Sequence, residues 1–126
     1  MTARRVLIVD DDDGVRAVAS VSLELVAGWD VLCASSGAEG VSLASDGRPD
    51  AILLDVMMPG MDGPTTFAAL QASPETRAIP VVLVTARVEP DDMERYGELG
   101  VRGVIAKPFD PMTLSARVAD CLGWAA

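Results

Sequence analysis

The stretch Val6-Leu7-Ile8-Val9-Asp10-Asp11-Asp12-Asp13-Gly14-Val15 decides how the chain is read. Four apolar residues in a row, three of them β-branched, suit a short strand buried on both faces, as in a parallel sheet. The run ends abruptly in four aspartates. From Asp13 to Ala27 the pattern changes: Val15, Val18, Ala19, Leu23 and Val26 fall near one stripe of a helix, and Gly28 is a helix-stop residue. Strand, acidic turn and helix make one βα unit.

The same rhythm recurs along the chain. Further apolar runs are Asp30-Val31-Leu32-Cys33-Ala34, Ala51-Ile52-Leu53-Leu54, Val81-Val82-Leu83-Val84 and Gly103-Val104-Ile105-Ala106. Helical segments follow them: Ser36 to Ser45; one opened by Asp62-Gly63-Pro64; one opened by Pro90 and stopped by Gly100; and one opened by Asp110-Pro111 and stopped by Gly123. The last carries Met112, Leu114, Val118 and Leu122. The fourth helix is the weakest, with Gly97 inside it and a thin stripe of Met93, Tyr96 and Leu99. Five βα units in 126 residues leave no linker, so residues 1–126 read as a single α/β domain, doubly wound.

Composition narrows the function. Ten basic residues against nineteen acidic ones give a net charge of −9. That argues against a nucleic-acid partner and against an anionic membrane surface. No run approaches a membrane span, and Met1-Thr2-Ala3-Arg4-Arg5 leads into an apolar run too short for a signal peptide. The absence of histidine removes Ser-His-Asp and Cys-His catalysis and any phosphohistidine carrier role. Cys33 and Cys121 lie far apart and read as buried, reduced thiols. Trp29 is expected in the core, at a helix-to-strand connection.

The polar residues that end the apolar runs carry the chemistry. Asp10 to Asp13 end the first, Asp55 the third, Thr85 the fourth and Lys107 the fifth. In an open α/β sheet, ligands bind outside the carboxyl ends of the strands. Lys107 is the only lysine among ten basic residues; a compact ammonium at a strand end suits a phosphoryl oxygen. Converging carboxylates without histidine or thiolate favour a hard cation, Mg²⁺ or Mn²⁺. A metal, a carboxylate, a hydroxyl and an ammonium together form a phosphoryl-transfer site, and an aspartate can accept the group. Asp12 and Asp13 are better read as charges at the start of a helix. Met57, Met58 and Met61 are expected to pack a loop.

Taken in order, Val6-Leu7-Ile8-Val9-Asp10-Asp11-Asp12, then Leu53-Leu54-Asp55-Val56-Met57-Met58-Pro59-Gly60-Met61-Asp62-Gly63, then Val84-Thr85-Ala86, then Lys107-Pro108-Phe109 resemble the receiver domain of bacterial two-component response regulators. The match runs essentially end to end. The resemblance implies a flavodoxin-like (βα)5 sandwich with five parallel strands in the order 2-1-3-4-5. It implies Asp55 as phosphoacceptor, Asp11 as direct Mg²⁺ ligand and Asp10 as an acid acting through metal-bound water. The resemblance also implies that Asp55 and the Met57 backbone carbonyl complete the metal site and that Thr85 and Lys107 contact the phosphoryl group, and it leads to the expectation of a cis Lys107–Pro108 peptide. Val104 stands where the family often has an aromatic residue that moves with the threonine, so switching is expected to run through Thr85 and the loop to Pro90, or through the fourth helix and fifth strand.

The function so implied is a phosphorylation-activated switch in the cytoplasm. It is not an enzyme beyond its own phosphorylation and dephosphorylation. A sensor histidine kinase or a histidine phosphotransfer protein supplies the phosphoryl group. Output goes to a downstream protein through the surface of the fourth helix, fifth strand and fifth helix. The Met1 start and the Ala125-Ala126 end, just past the last helix, lead to the expectation of a stand-alone receiver. Two alternatives use the same residues. One is a receiver-like interaction module that works without phosphate. The other is a phosphatase: Asp11-Asp12-Asp13-Gly14-Val15 also resembles the nucleophile loop of haloacid-dehalogenase-like phosphatases, although that leaves Asp55 without a role.

Overall fold

The structure, a computed structural model, describes residues 3–124. The termini behind the stand-alone expectation, Met1 and Ala125-Ala126, lie outside them. Ten elements alternate: β1 (Arg5–Val9), α1 (Asp13–Ala27), β2 (Asp30–Ala34), α2 (Gly37–Gly47), β3 (Ala51–Leu54), α3 (Gly63–Ala72), β4 (Val81–Thr85), α4 (Pro90–Leu99), β5 (Gly103–Ala106) and α5 (Leu114–Leu122). The five strands form one parallel sheet in the order β2-β1-β3-β4-β5. The chain therefore winds outward from β1 in both directions.

Alternation along each strand explains why the apolar runs are continuous. Leu7, Val9, Ile52, Leu54, Val81 and Leu83 face one core with Ala44, Phe67, Leu70 and Tyr96 from α2, α3 and α4. Val6, Ile8, Ala51, Leu53, Val82, Val84 and Ile105 face the other with Ala19, Leu23, Leu114, Val118 and Leu122 from α1 and α5. A central strand with a helix layer on each side has no solvent face to leave polar. The edge strand β2 departs from this, and its Cys33 is exposed. The expectation of two buried thiols fails there: an edge strand is covered less completely than a central one. Cys121 is half-buried, and both cysteines are free.

Three further expectations need correction. The helix expected from Asp110-Pro111 begins only at Leu114. The Asp110 carboxylate accepts from Met112 N–H at 2.9 Å, and its carbonyl accepts from Thr113 N–H at 3.1 Å, so the segment closes as a turn. The Ser22 hydroxyl donates to the Pro111 carbonyl and ties that turn to α1. Met112 consequently lies outside the helix and is 72% exposed. On α1, Val18 and Val26 are exposed, and the buried stripe is Ala19, Ser22 and Leu23. The apolar face of α1 is wider than its core contact. Finally, α2 starts after its Ser36 cap and includes Gly47, with Arg48 taking the left-handed conformation at its end.

The ends of the strands opposite the acidic cluster are closed by aromatic packing. Trp29, half-buried, meets Trp124 edge-on at 5.2 Å between ring centroids, and the Arg4 guanidinium lies 4.2 Å over the Trp124 ring. Among the described residues, no helix is long and apolar enough to cross a membrane.

The β3–α3 connection is shaped by two glycines and a cap. Gly60 holds φ +78°, a left-handed conformation that a side chain resists. At Gly63 a Cβ would lie 2.6 Å from the Asp55 carbonyl oxygen and 2.7 Å from the Val56 Cα, both backbone atoms. Gly63→Ala should therefore lower stability by about 1–3 kcal/mol, read from urea midpoints, as α3 is pushed off the end of β3. Asp62 caps α3, its carboxylate accepting from Thr65 N–H at 2.8 Å. The Thr65 hydroxyl and backbone N–H hold this carboxyl below the ordinary value of 3.8. A lowered acid stabilises the fold above its unfolded pKa, and the gain is lost as pH falls through the folded one. Asp62→Ala should cost about 1 kcal/mol at neutral pH, and urea titrations should show the difference shrinking in acid.

Candidate functional site

Four strand ends deliver the polar residues to one rim of the sheet. Asp10 follows β1, Asp55 follows β3, Thr85 ends β4 and Lys107 follows β5. Because the strands are parallel, their carboxyl ends share that rim, and the order β1-β3-β4-β5 sets the side chains in a row.

The carboxylates meet. Asp10, Asp11 and Asp55 each offer an oxygen, and these oxygens lie within 4.8 Å of one another. Asp10 and Asp55 are buried, at 3% and 5% exposure, whereas Asp11 is open to solvent. Asp10 is held firmly: one carboxylate oxygen accepts from Asp12 N–H at 2.9 Å and the other from the Lys107 ammonium at 2.7 Å. The ammonium also lies 3.4 Å from the Asp55 carboxylate. Met57 N–H approaches the same Asp55 oxygen at 3.4 Å, so the Met57 backbone adjoins the cluster while its side chain is largely exposed. Met58 is buried in the core and Met61 half-buried, as expected of loop packing, but Met57, with its side chain turned to solvent, departs from that expectation.

The charges do not balance. Three carboxylates face one ammonium. Burial pushes the Asp55 carboxyl above 3.8, the neighbouring Asp10 pushes it further, and Lys107 only partly opposes them. For Lys107, burial alone would lower the pKa, but the pairing with Asp10 and the charge of Asp55 outweigh it and the net shift is upward. The ammonium therefore stays charged across neutral pH. A cluster of oxygen donors with surplus negative charge, open on the Asp11 side, fits a hard divalent cation.

Thr85 is fully buried, and its hydroxyl accepts from Arg87 N–H at 3.0 Å. The Lys107 N–H donates to the Thr85 carbonyl at 2.9 Å, tying the two strand ends together. The Lys107–Pro108 peptide is cis. Asp12 caps α1 by accepting from Val15 N–H at 3.0 Å. Asp13 is the first residue of α1, is exposed, and pairs with Arg16. Both serve the helix start and stand outside the cluster, which leaves the phosphatase-type reading without its second acid.

Two contributors escape a reading of strand ends. Arg16 on α1 donates to the Asp10 carbonyl at 2.7 Å and braces the β1–α1 turn. Its only signal in sequence is the i,i+3 spacing from Asp13. Tyr96 on α4 donates from its hydroxyl to the Arg87 carbonyl at 2.9 Å. In sequence it is one member of a thin apolar stripe.

Comparison with known proteins gives the family and the fold. Residues 6–119 match the response regulator receiver domain. The chain is 39% identical over 118 residues to the DNA-binding dual master transcriptional regulator RpaA of Synechocystis sp., covering 94% of this chain and 48% of that protein. It is 41% identical over 122 residues to the transcriptional regulatory protein PrrA of Mycobacterium tuberculosis, covering 97% of this chain and 51% of that protein. It thus spans about half the length of these relatives. The chemotaxis protein CheY4 of Vibrio cholerae superposes with a TM-score of 0.88 at 30% identity, covering 95% of this chain and 99% of that one. The chain belongs to the response regulator receiver domain family, whose members are signalling domains of phosphorylation-based two-component systems.

Proposed function

We propose that residues 1–126 act as a single phosphorylation switch in which Asp55 accepts the phosphoryl group. The observation that carries this reading is the meeting of the Asp10, Asp11 and Asp55 carboxylates within 4.8 Å, with the Lys107 ammonium bonded to Asp10 and 3.4 Å from Asp55. Asp10, Asp11, Asp55 and the Met57 carbonyl would hold Mg²⁺, with Mn²⁺ as an alternative. When bound, the ion neutralises charge on the phosphoryl oxygens.

The chain's own residues do the rest. A carboxylate oxygen of Asp55 attacks phosphorus; the O–P bond forms as the P–N bond of a partner's phosphohistidine breaks. The imidazole nitrogen leaves with the electron pair of that bond and takes a proton from solvent. Lys107 is placed to pair with a phosphoryl oxygen, and the Thr85 hydroxyl to donate to another. A histidine-free chain cannot supply the donor itself. The donor is a histidine kinase or a histidine phosphotransfer protein.

The exposed apolar face of α1 supports that docking. Val18, Val21, Leu25, Val26 and Met112 form a groove of about 650 Å³. It continues over Val15 and Val18 to Lys107, Pro108 and Phe109 at the rim of the site. We assign output to α4, β5 and α5; in support, Thr85 ends β4 and Lys107 follows β5, the adjoining strands that lead into this region. The whole domain then reports the modification by a shift between two states rather than by turnover of a substrate.

Intact mass tests the reading. Incubation with acetyl phosphate and Mg²⁺ should add one group of about 80 Da, and EDTA should prevent it. Absence of any gain with several small donors and with phosphorylated partners would overturn the acceptor role.

A further inference from the structure

The Thr85 hydroxyl is already engaged. It accepts from Arg87 N–H at 3.0 Å, and the carbonyl of the same Arg87 accepts from the Tyr96 hydroxyl at 2.9 Å. The Arg87 backbone is therefore bonded on one side to β4 and on the other to α4. Residues 86–89 around it are exposed, so little else anchors this loop. Tyr96 is the opposite: it is 3% exposed, and it packs in the core with Val56, Met58 and Leu83. A buried hydroxyl that loses its partner keeps the full cost of its desolvation. The Arg87 carbonyl cannot move away without Tyr96 following it or being left unpaired. Beside the ring lies a cleft of about 600 Å³, lined by Val56, Met57, Arg87, Tyr96 and Leu99, into which such a rearrangement has room to move. On β5 the neighbouring Val104 is half-buried and has no polar side-chain atom to offer the loop.

We propose that Tyr96 is the positioning residue of this switch: its hydroxyl, through the Arg87 backbone, sets the Thr85 hydroxyl and carries a change at Thr85 into α4. This rests on the reading of Asp55 as the acceptor. A phosphoryl group there brings three acceptor oxygens, and the Thr85 hydroxyl has a single proton to donate. As Thr85 turns toward the phosphoryl group, its oxygen leaves the line of Arg87 N–H. The loop is then held only from the α4 side. The element biased by phosphorylation is the loop–α4 pair, with Tyr96 as the buried group that registers it.

Tyr96 is the only tyrosine in the chain, so a single ¹³Cζ-tyrosine label reports on this hydroxyl alone. The label is read by NMR before and after acetyl phosphate and Mg²⁺, with intact mass measured on the same sample. The expected result is a mass gain together with a shift of the tyrosine signal. In Thr85→Ala the mass gain should persist, if slower, while the tyrosine signal stays still. Tyr96→Phe keeps the ring and should take the phosphoryl group, but amide exchange in residues 90–99 should no longer respond to it. A mass gain with an unmoved tyrosine signal would overturn the proposal. So would a shift that survives Thr85→Ala, or a wild-type α4 response in Tyr96→Phe. No mass gain in the wild type would instead sink the acceptor reading, and this inference with it.

Discussion

Asp55→Asn should take up no phosphoryl group at all, against about one per chain for the wild type, and without Mg²⁺ it should be the more stable protein. The first half follows from chemistry: an amide oxygen does not attack phosphorus as a carboxylate does. The second follows from the site. Asp55 is buried beside Asp10, and both burial and that charge raise its pKa above 3.8. A raised acid means that the folded state binds more protons than the unfolded one, so stability falls as pH climbs from the unfolded pKa to the folded one. Asparagine has no such penalty. Urea unfolding in EDTA should show equal stabilities in acid, where Asp55 is protonated, and a growing advantage for Asp55→Asn toward neutral pH. Mg²⁺ should reverse the order. At one hundred times Kd, a bound ligand adds about 2.7 kcal/mol to the wild type, and the variant, with one carboxylate fewer, should gain less. A variant that binds Mg²⁺ as tightly as the wild type would show that Asp55 is not a ligand.

Lys107→Met should unfold more easily in EDTA by about 2–3 kcal/mol, less than the 3–5 typical of a fully buried pair because the lysine is partly exposed. Among the described residues, the Lys107 ammonium is the one cation bonded to the Asp10 carboxylate, at 2.7 Å, and it lies 3.4 Å from Asp55. Methionine keeps the aliphatic stem but leaves two buried carboxylates facing each other. Because the Lys107 pKa is raised, its contribution is fully present below the ordinary lysine value of 10.5 and fades only as pH rises through the folded one. The deficit should thus be flat across neutral pH. Mg²⁺ should recover much of it, since a cation between the carboxylates replaces the missing charge. Phosphoryl uptake from acetyl phosphate should slow by about 10²-fold, with Thr85 left as a phosphoryl contact. A deficit that Mg²⁺ does not touch would mean that the lysine matters for packing rather than for charge.

The apolar runs and the residues that end them were enough to specify the sheet and the row of polar residues at its rim. Val6 to Val9, Ala51 to Leu54 and Val81 to Val84 are apolar without a break, and only a strand covered on both sides has use for that pattern. Each run ends where a polar residue begins, so Asp10, Asp55, Thr85 and Lys107 could be placed by register alone. That Asp12 and Asp13 start a helix was equally legible, because capping acts within three or four residues. What sequence could not decide were matters set by which elements lie side by side. Asp110-Pro111 has the chemistry of a helix start, yet Ser22 from α1 engages Pro111, and the segment closes as a turn. Val18 and Val26 carry the helical stripe, but α1 is wider in apolar surface than the sheet and α5 can cover, so they remain outside the core. Cys33 is exposed because β2 is an edge strand, which its own apolar run does not betray. The bond from Tyr96 to the Arg87 carbonyl joins α4 back to the loop that precedes it. Local pattern sets what each segment is; the charge balance of the site and the reach of a buried hydroxyl depend on distances between segments, which exist only once the sheet has assembled.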